Sequence, residues 1–250
     1  MRVKARVDLK TNVKLQEIKR LIDKCDEEHC QDLLQYVRRR VDIHPLEKQL
    51  NCKAEIILES IARAADITVR GIRGIITEVA FKQEVLVHLT TWRDEEAVGE
   101  LPYDFLLTNG DRQVNIQVKM QRSEKGAPIV KNGQWFVETQ RTRNGTDKEA
   151  KATRPYRFGQ FDILAVSLQP TNKSWDKFMY TLGSWLLPRK DDDNLLKVMQ
   201  PVSMTRDEYW TDNLEECIEW FFDQSDKKTI PEAIKAPRTK TVKKSTKKTK

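Results

Sequence analysis

A change of hydrophobic period near residue 103 constrains the fold of this 250-residue chain more than any other feature. Before it, apolar residues recur every three or four positions, as on one face of a helix. From there, YDFLL (103–107) is a short apolar strand and TNGD (108–111) holds the Asn-Gly pair of a tight turn. RQVNIQVKM (112–120) then alternates strictly. Val114, Ile116 and Val118 face one way, and Asn115, Gln117 and Lys119 the other. A helix-rich start feeding an antiparallel hairpin predicts an α/β (α+β) domain with a mixed central sheet flanked by helices.

The preceding third predicts helices. Leu15, Ile18, Leu21 and Ile22 follow Thr11-Asn12, which can cap, and Leu33, Leu34, Val37 and Val41 mark a second helix that Pro45 closes. A third runs from Leu46 to Ala65, with Leu50, Ala54, Ile57, Leu58 and Ile61 on one face. These stripes are expected to be core. After the turn-like TVRG, IRGIITEVAFKQEVLVHL (72–89) is expected to be a buried helix with Ile75, Val79, Leu86 and Leu89 inward. Glu78 stands among them, where a carboxylate is costly without a partner or a cation. Downstream, WFVETQ (135–140), QFDILAVSL (160–168) and KFMYTLGSWLL (177–187) predict strands, and LEECIEWFF (214–222) a helix. The expected organisation is a helical region over 1–70, a core over 71–226, and a disordered Lys-rich tail over 227–250.

Charge is unevenly placed. The net +7 arises in the tail: residues 227–250 hold ten Lys/Arg against one Glu, a net +9. The first 226 residues hold 35 Lys/Arg against 37 Asp/Glu, a net −2. Within that body, residues 111–158 carry eleven Lys/Arg and five acids, a local +6 suited to a polyanion. No apolar run approaches a membrane span, and the opening MRVKARVDLKTNVKLQ lacks a signal core, so a cytoplasmic protein without membrane contact is expected. Cys25, Cys30 and Cys52 with His29 fit no zinc-finger spacing and are expected to be reduced thiols. No GxxxxGK[ST] or GxSxG occurs.

Asp104 ends a Pro-Tyr-Asp entry to the hairpin. Gln117 and Lys119, two apart on a strand, leave the same face, so all three can converge. Oxygen donors and an ammonium in one pocket are what metal-assisted phosphodiester hydrolysis needs.

Pro102-Tyr103-Asp104 followed by Gln117-Val118-Lys119 resembles the motif of the PD-(D/E)xK nucleases, a superfamily that includes many type II restriction endonucleases. The chain departs from it in the Tyr inserted after Pro102 and in Gln117, where an acid is usual. The resemblance spans roughly residues 70–187 and implies a restriction-endonuclease-like core. It also implies Mg²⁺, with Mn²⁺ as substitute, held by Asp104, Gln117 and the Val118 carbonyl. Glu78 on the preceding helix would restore the missing charge, and Lys119 would orient the attacking water. Gln140, Arg141, Arg143, Arg154, Arg157 and Arg122 would contact double-stranded DNA. The implied protein is prokaryotic, a homodimer, and paired with a DNA methyltransferase. A structure-specific or repair nuclease of the same fold and a DNA-binding protein without catalysis stay open as alternatives.

Overall fold

The computed structural model describes residues 9–41, 44–95, 99, 101–124, 126–141, 154–223 and 228–233. The chain divides into two compact units, Met1–Val69 and Arg70–Lys250. Arg143 and the tail beyond residue 233 lie outside the described residues.

The first unit contains α1 (Leu9–Ile22), α2 (Glu27–Arg38), α3 (Pro45–Leu50) and α4 (Ala54–Ala62). α1 starts at Leu9, so Thr11-Asn12 lie within it and do not cap it. Pro45 opens a helix rather than closing one, in the first-turn position where its missing N–H costs nothing. The single helix expected over 46–65 is broken. Asn51 turns left-handed at φ 49° and ends α3. Glu47 then bridges the break, accepting from the N–H of His44 at 3.3 Å and of Ala54 at 2.8 Å, which caps two helix starts with one carboxylate. Glu47 is accordingly the one buried residue among the described residues of this unit. The apolar stripes expected to be core are not buried: Leu15, Ile18, Leu21, Leu34, Val37, Leu50 and Leu58 face solvent, and Leu33, Ala54, Ile57 and Ile61 are half-buried. Periodicity establishes that a helix has an apolar face; it does not supply the surface that covers it.

α5 (Asp66–Glu84), most of which belongs to the second unit, absorbs TVRG into the helix. Its inward residues are Thr77, Ala80 and Phe81, whereas Ile75 and Val79 are exposed, so the phase differs from that expected. Leu86 is buried and Leu89 half-buried, both beyond the helix end.

Three strands follow: β1 (Arg93–Glu95), β2 (Phe105–Asn109) and β3 (Arg112–Met120). Next come the short β4 (Ser123–Glu124), β5 (Ala127–Pro128) and β6 (Val130–Lys131), then β7 (Gln134–Glu138) and β8 (Ile163–Ser167). A four-residue α6 (Gln169–Asn172), β9 (Phe178–Leu182), β10 (Met199–Val202) and α7 (Leu214–Asp223) complete the order.

The central sheet runs β1-β2-β3-β8-β9 and is mixed, because β3 and β8 pair in parallel while the other neighbours are antiparallel. With helices beside it, this is the α+β architecture expected. The β2–β3 turn is tighter than TNGD suggests: Asn109 pairs with Arg112, leaving Gly110 (φ 57°) and Asp111 as the loop. WFVETQ belongs to a separate sheet, β10-β7-β6. A parallel pair needs a long crossover; β6 and β7 of this second sheet lie within the one between β3 and β8, and β10 joins them from beyond β9.

β8 is buried at every position, as a strand covered on both faces must be. At its start Asp162 grips Asn115, its N–H donating to the Asn115 carbonyl and its carboxylate accepting from the Asn115 N–H, both at 2.8 Å. Phe81 of α5 packs against Phe105 (5.3 Å between centroids), Phe178 (5.2 Å) and Tyr180 (6.4 Å). α7 buries Leu214, Cys217 and Ile218, and its Trp220 and Phe222 stack on Trp185 and Trp92. No helix among the described residues is long and apolar enough to cross a membrane.

Candidate active site

Asp104 lies just before β2. Its own N–H donates to the Ile116 carbonyl at 3.0 Å, which holds it beside β3. Its Oδ2 accepts from the Val118 N–H at 2.8 Å and from Gln117 Nε2. A carboxylate oxygen thus serves as acceptor for a strand N–H, which fixes the carboxyl without a second main chain.

Gln117 is buried, with 1% of its surface exposed. Its Nε2 also donates to the Val118 carbonyl at 3.1 Å, and its Oε1 accepts from the Tyr156 hydroxyl at 3.0 Å. Lys119, two residues on and on the same face, places Nζ 5.4 Å from the centre of the Tyr156 ring. The Arg141 guanidinium lies 5.8 Å from that centre. Cations over an aromatic face are held by its quadrupole, so Tyr156 orders the amide through its hydroxyl and the two cations through its ring.

The charges of Glu78, Asp104 and Lys119 act on one another. Burial pushes the Glu78 carboxyl up to about 7, the Asp104 charge adds to this, and Lys119 opposes it. Burial also raises Asp104, against the pull of Lys119 and the Val118 N–H. Desolvation lowers Lys119, while Asp104 and Glu78 raise it and Arg141 lowers it. Two carboxyls that burial holds above their ordinary range, one of them also repelled by the other, are poorly compensated by one ammonium. Tyr156 is raised by burial first and by Asp104 next, so its hydroxyl keeps its proton.

The oxygen donors fit a hard cation, since Mg²⁺ commonly takes one or two carboxylates from a protein and completes its shell with water and substrate. The two carboxyls available for this role are Asp104 and Glu78. Gln117 and Val118, expected as further ligands, direct their groups elsewhere here: the Gln117 oxygen faces Tyr156, and the Val118 carbonyl accepts from Gln117. Among the described residues no three His, Cys, Asp or Glu side chains gather in a metal-binding group.

Around this centre the expected DNA-contacting residues divide. Arg122 pairs with Glu138 at 2.8 Å, and Gln140 Nε2 donates to the other Glu138 oxygen. The Arg141 N–H donates to the Arg154 carbonyl at 2.9 Å, and Arg141 Nε is buried without a hydrogen-bond partner. Arg157 is placed by its N–H on Gln160 Oε1 at 2.9 Å, and Arg154 is exposed. Tyr156 and Glu138 are the residues that sequence reasoning passed over. The signal for Tyr156 was RPYRF, an aromatic between two arginines, but its contact with Gln117 spans 39 positions.

No protein-family model matches the chain, and no curated protein matches it. Two solved chains match. One is a bacterial homing endonuclease, 20% identical, over 46% of this chain and 69% of that one, with a TM-score of 0.32. A likeness of that size establishes nothing about the chemistry here, which rests on the residues above.

Proposed function

We propose that this protein is a Mg²⁺-dependent DNA endonuclease. The observation that carries it is the cluster at the motif-bearing hairpin, where Asp104 accepts from the Val118 N–H and Gln117 while Lys119 lies by the Tyr156 ring; the charges of Asp104 and Lys119 also act on Glu78. Asp104 and Glu78 would hold the cation. Bound there, it would polarise the scissile phosphate and acidify a coordinated water. Lys119 orients that water and offsets the charge that builds on the phosphate. Tyr156 keeps the Lys119 ammonium near the site through its ring face. Arg141, with its unpartnered Nε, stands ready to take a phosphate oxygen.

The narrower form of the proposal is a sequence-specific enzyme of the restriction type, acting as a homodimer on a palindromic site with a companion methyltransferase. It rests on the motif resemblance and on the fit between two-fold proteins and two-fold sites. Incubation of the purified chain with plasmid DNA and Mg²⁺ tests both levels. Discrete fragments support the narrower form. Smeared products or cutting of branched substrates favour a structure-specific nuclease. Binding without cutting, with Mg²⁺ or Mn²⁺, refutes the proposal.

A further inference from the structure

We infer that Gln117 serves the site as a hydrogen-bond donor that holds Asp104, and not as an oxygen ligand to the cation. The inference rests on the cation site proposed above and deepens it. An amide has one end that donates and one that accepts, and its surroundings decide which way it lies. Three groups surround Gln117. The Val118 carbonyl and Asp104 Oδ2 are acceptors, and both lie on the Nε2 side. The Tyr156 hydroxyl, which donates or accepts equally well, lies on the Oε1 side.

Turned over, the amide would set its oxygen against two other oxygens with no proton to share, and two hydrogen bonds would be lost. Water cannot repair this, because the side chain is 1% exposed. Tyr156 tolerates either orientation, so Val118 and Asp104 fix it.

Two consequences follow for the cation. Asp104 Oδ2 already takes two donors, the Val118 N–H and Gln117 Nε2. Among the described residues nothing donates to Oδ1, which leaves that oxygen and the Glu78 carboxyl to face the ion. The amide also explains the departure from an acid at this position. A carboxylate at 117 would face the Val118 carbonyl oxygen and the like-charged Asp104 Oδ2 with no proton for either, whereas the amide supplies protons to both. Gln117 is therefore suited to bracing one carboxylate rather than standing in weakly for another.

The test uses the wild-type chain labelled at glutamine nitrogen and at carboxyl and carbonyl carbon, followed by NMR as Mg²⁺ is added. The carboxyl carbons of Glu78 and Asp104 report whether the ion arrives. The two Nε2 protons of Gln117 report which way the amide lies. The expected result is that the carboxyl signals move while the Nε2 protons keep their scalar couplings across the hydrogen bonds to the Asp104 carboxyl and Val118 carbonyl carbons. If the carboxyls respond and those couplings vanish while the Nε2 protons gain contacts with the Tyr156 hydroxyl, Gln117 has turned its oxygen to the ion and this inference is overturned alone. If neither carboxyl responds at any Mg²⁺ concentration, the cation site itself is refuted and the inference with it.

Discussion

Replacing Glu78 by Gln tests whether the two carboxyls are strained as the structure implies. Glu78 titrates near 7 in the fold against 4.5 ordinarily. A raised carboxyl means that the folded protein prefers its proton. Its penalty is therefore absent below about pH 4.5, grows as pH rises towards 7, and is complete above 7. Felt in full, that difference would cost about 3 kcal/mol. Part of Glu78 remains in water, so screening reduces the cost to roughly 1–2 kcal/mol. For a chain of this size that corresponds to roughly 2–8 °C in Tm.

Without divalent ions, Glu78→Gln should melt higher than wild type at pH 8 by this amount and match it at pH 4.5. Thermal unfolding at both pH values, in a metal chelator, reads this directly. Added Mg²⁺ should then raise the Tm of the wild type at pH 8 and leave the variant nearly unmoved. A variant whose Tm differs from wild type equally at both pH values would refute the electrostatic reasoning.

Lys119→Met should lower the DNA cleavage rate by about 10²–10³-fold, as loss of a transition-state donor does, while duplex binding measured with Ca²⁺ persists; normal cleavage would remove Lys119 from the mechanism. Tyr156→Phe leaves the buried Gln117 oxygen without its donor and should cost about 1–3 kcal/mol in urea unfolding. Phe81→Ala removes a fully buried ring with three aromatic neighbours and should cost about 3–5 kcal/mol in the same assay. Gly183→Ala would place a Cβ 2.5 Å from the Phe161 carbonyl oxygen; a loss of about 1–3 kcal/mol is expected, and an unchanged midpoint would show that the turn after β9 shifts freely.

The hairpin was legible because everything that specifies it is local. Alternation over 112–120 matches β3 from end to end, and the buried Val114, Ile116 and Val118 confirm the face. Asp104 could be placed beside Gln117 and Lys119 because a two-residue turn dictates what lies across from what. α5 was legible as a helix but not in phase. Ile75, Ile76 and Val79 form a second apolar face, and the aromatic contacts of Phe81 with Phe105, Phe178 and Tyr180 decide which one is covered. The break at Asn51 was hidden because the apolar stripe continues across it, while Glu47 ties the two helices by capping. Tyr156 was hidden because no local pattern encodes a partner 39 positions away. In the first unit, apolar stripes read as core because sequence records what a face prefers and not what meets it.

The contact between Phe81 and Phe105 bears on chemistry as much as on stability. Glu78 lies one helical turn before Phe81, and Asp104 immediately precedes Phe105. The two rings, 5.3 Å apart, therefore gauge the separation of the two carboxyls. On the proposed reading, a substitution that lets the rings approach or part would change Mg²⁺ affinity while leaving both carboxyls in place. Selection on that activity would then be felt inside the hydrophobic interior, at residues no substrate meets.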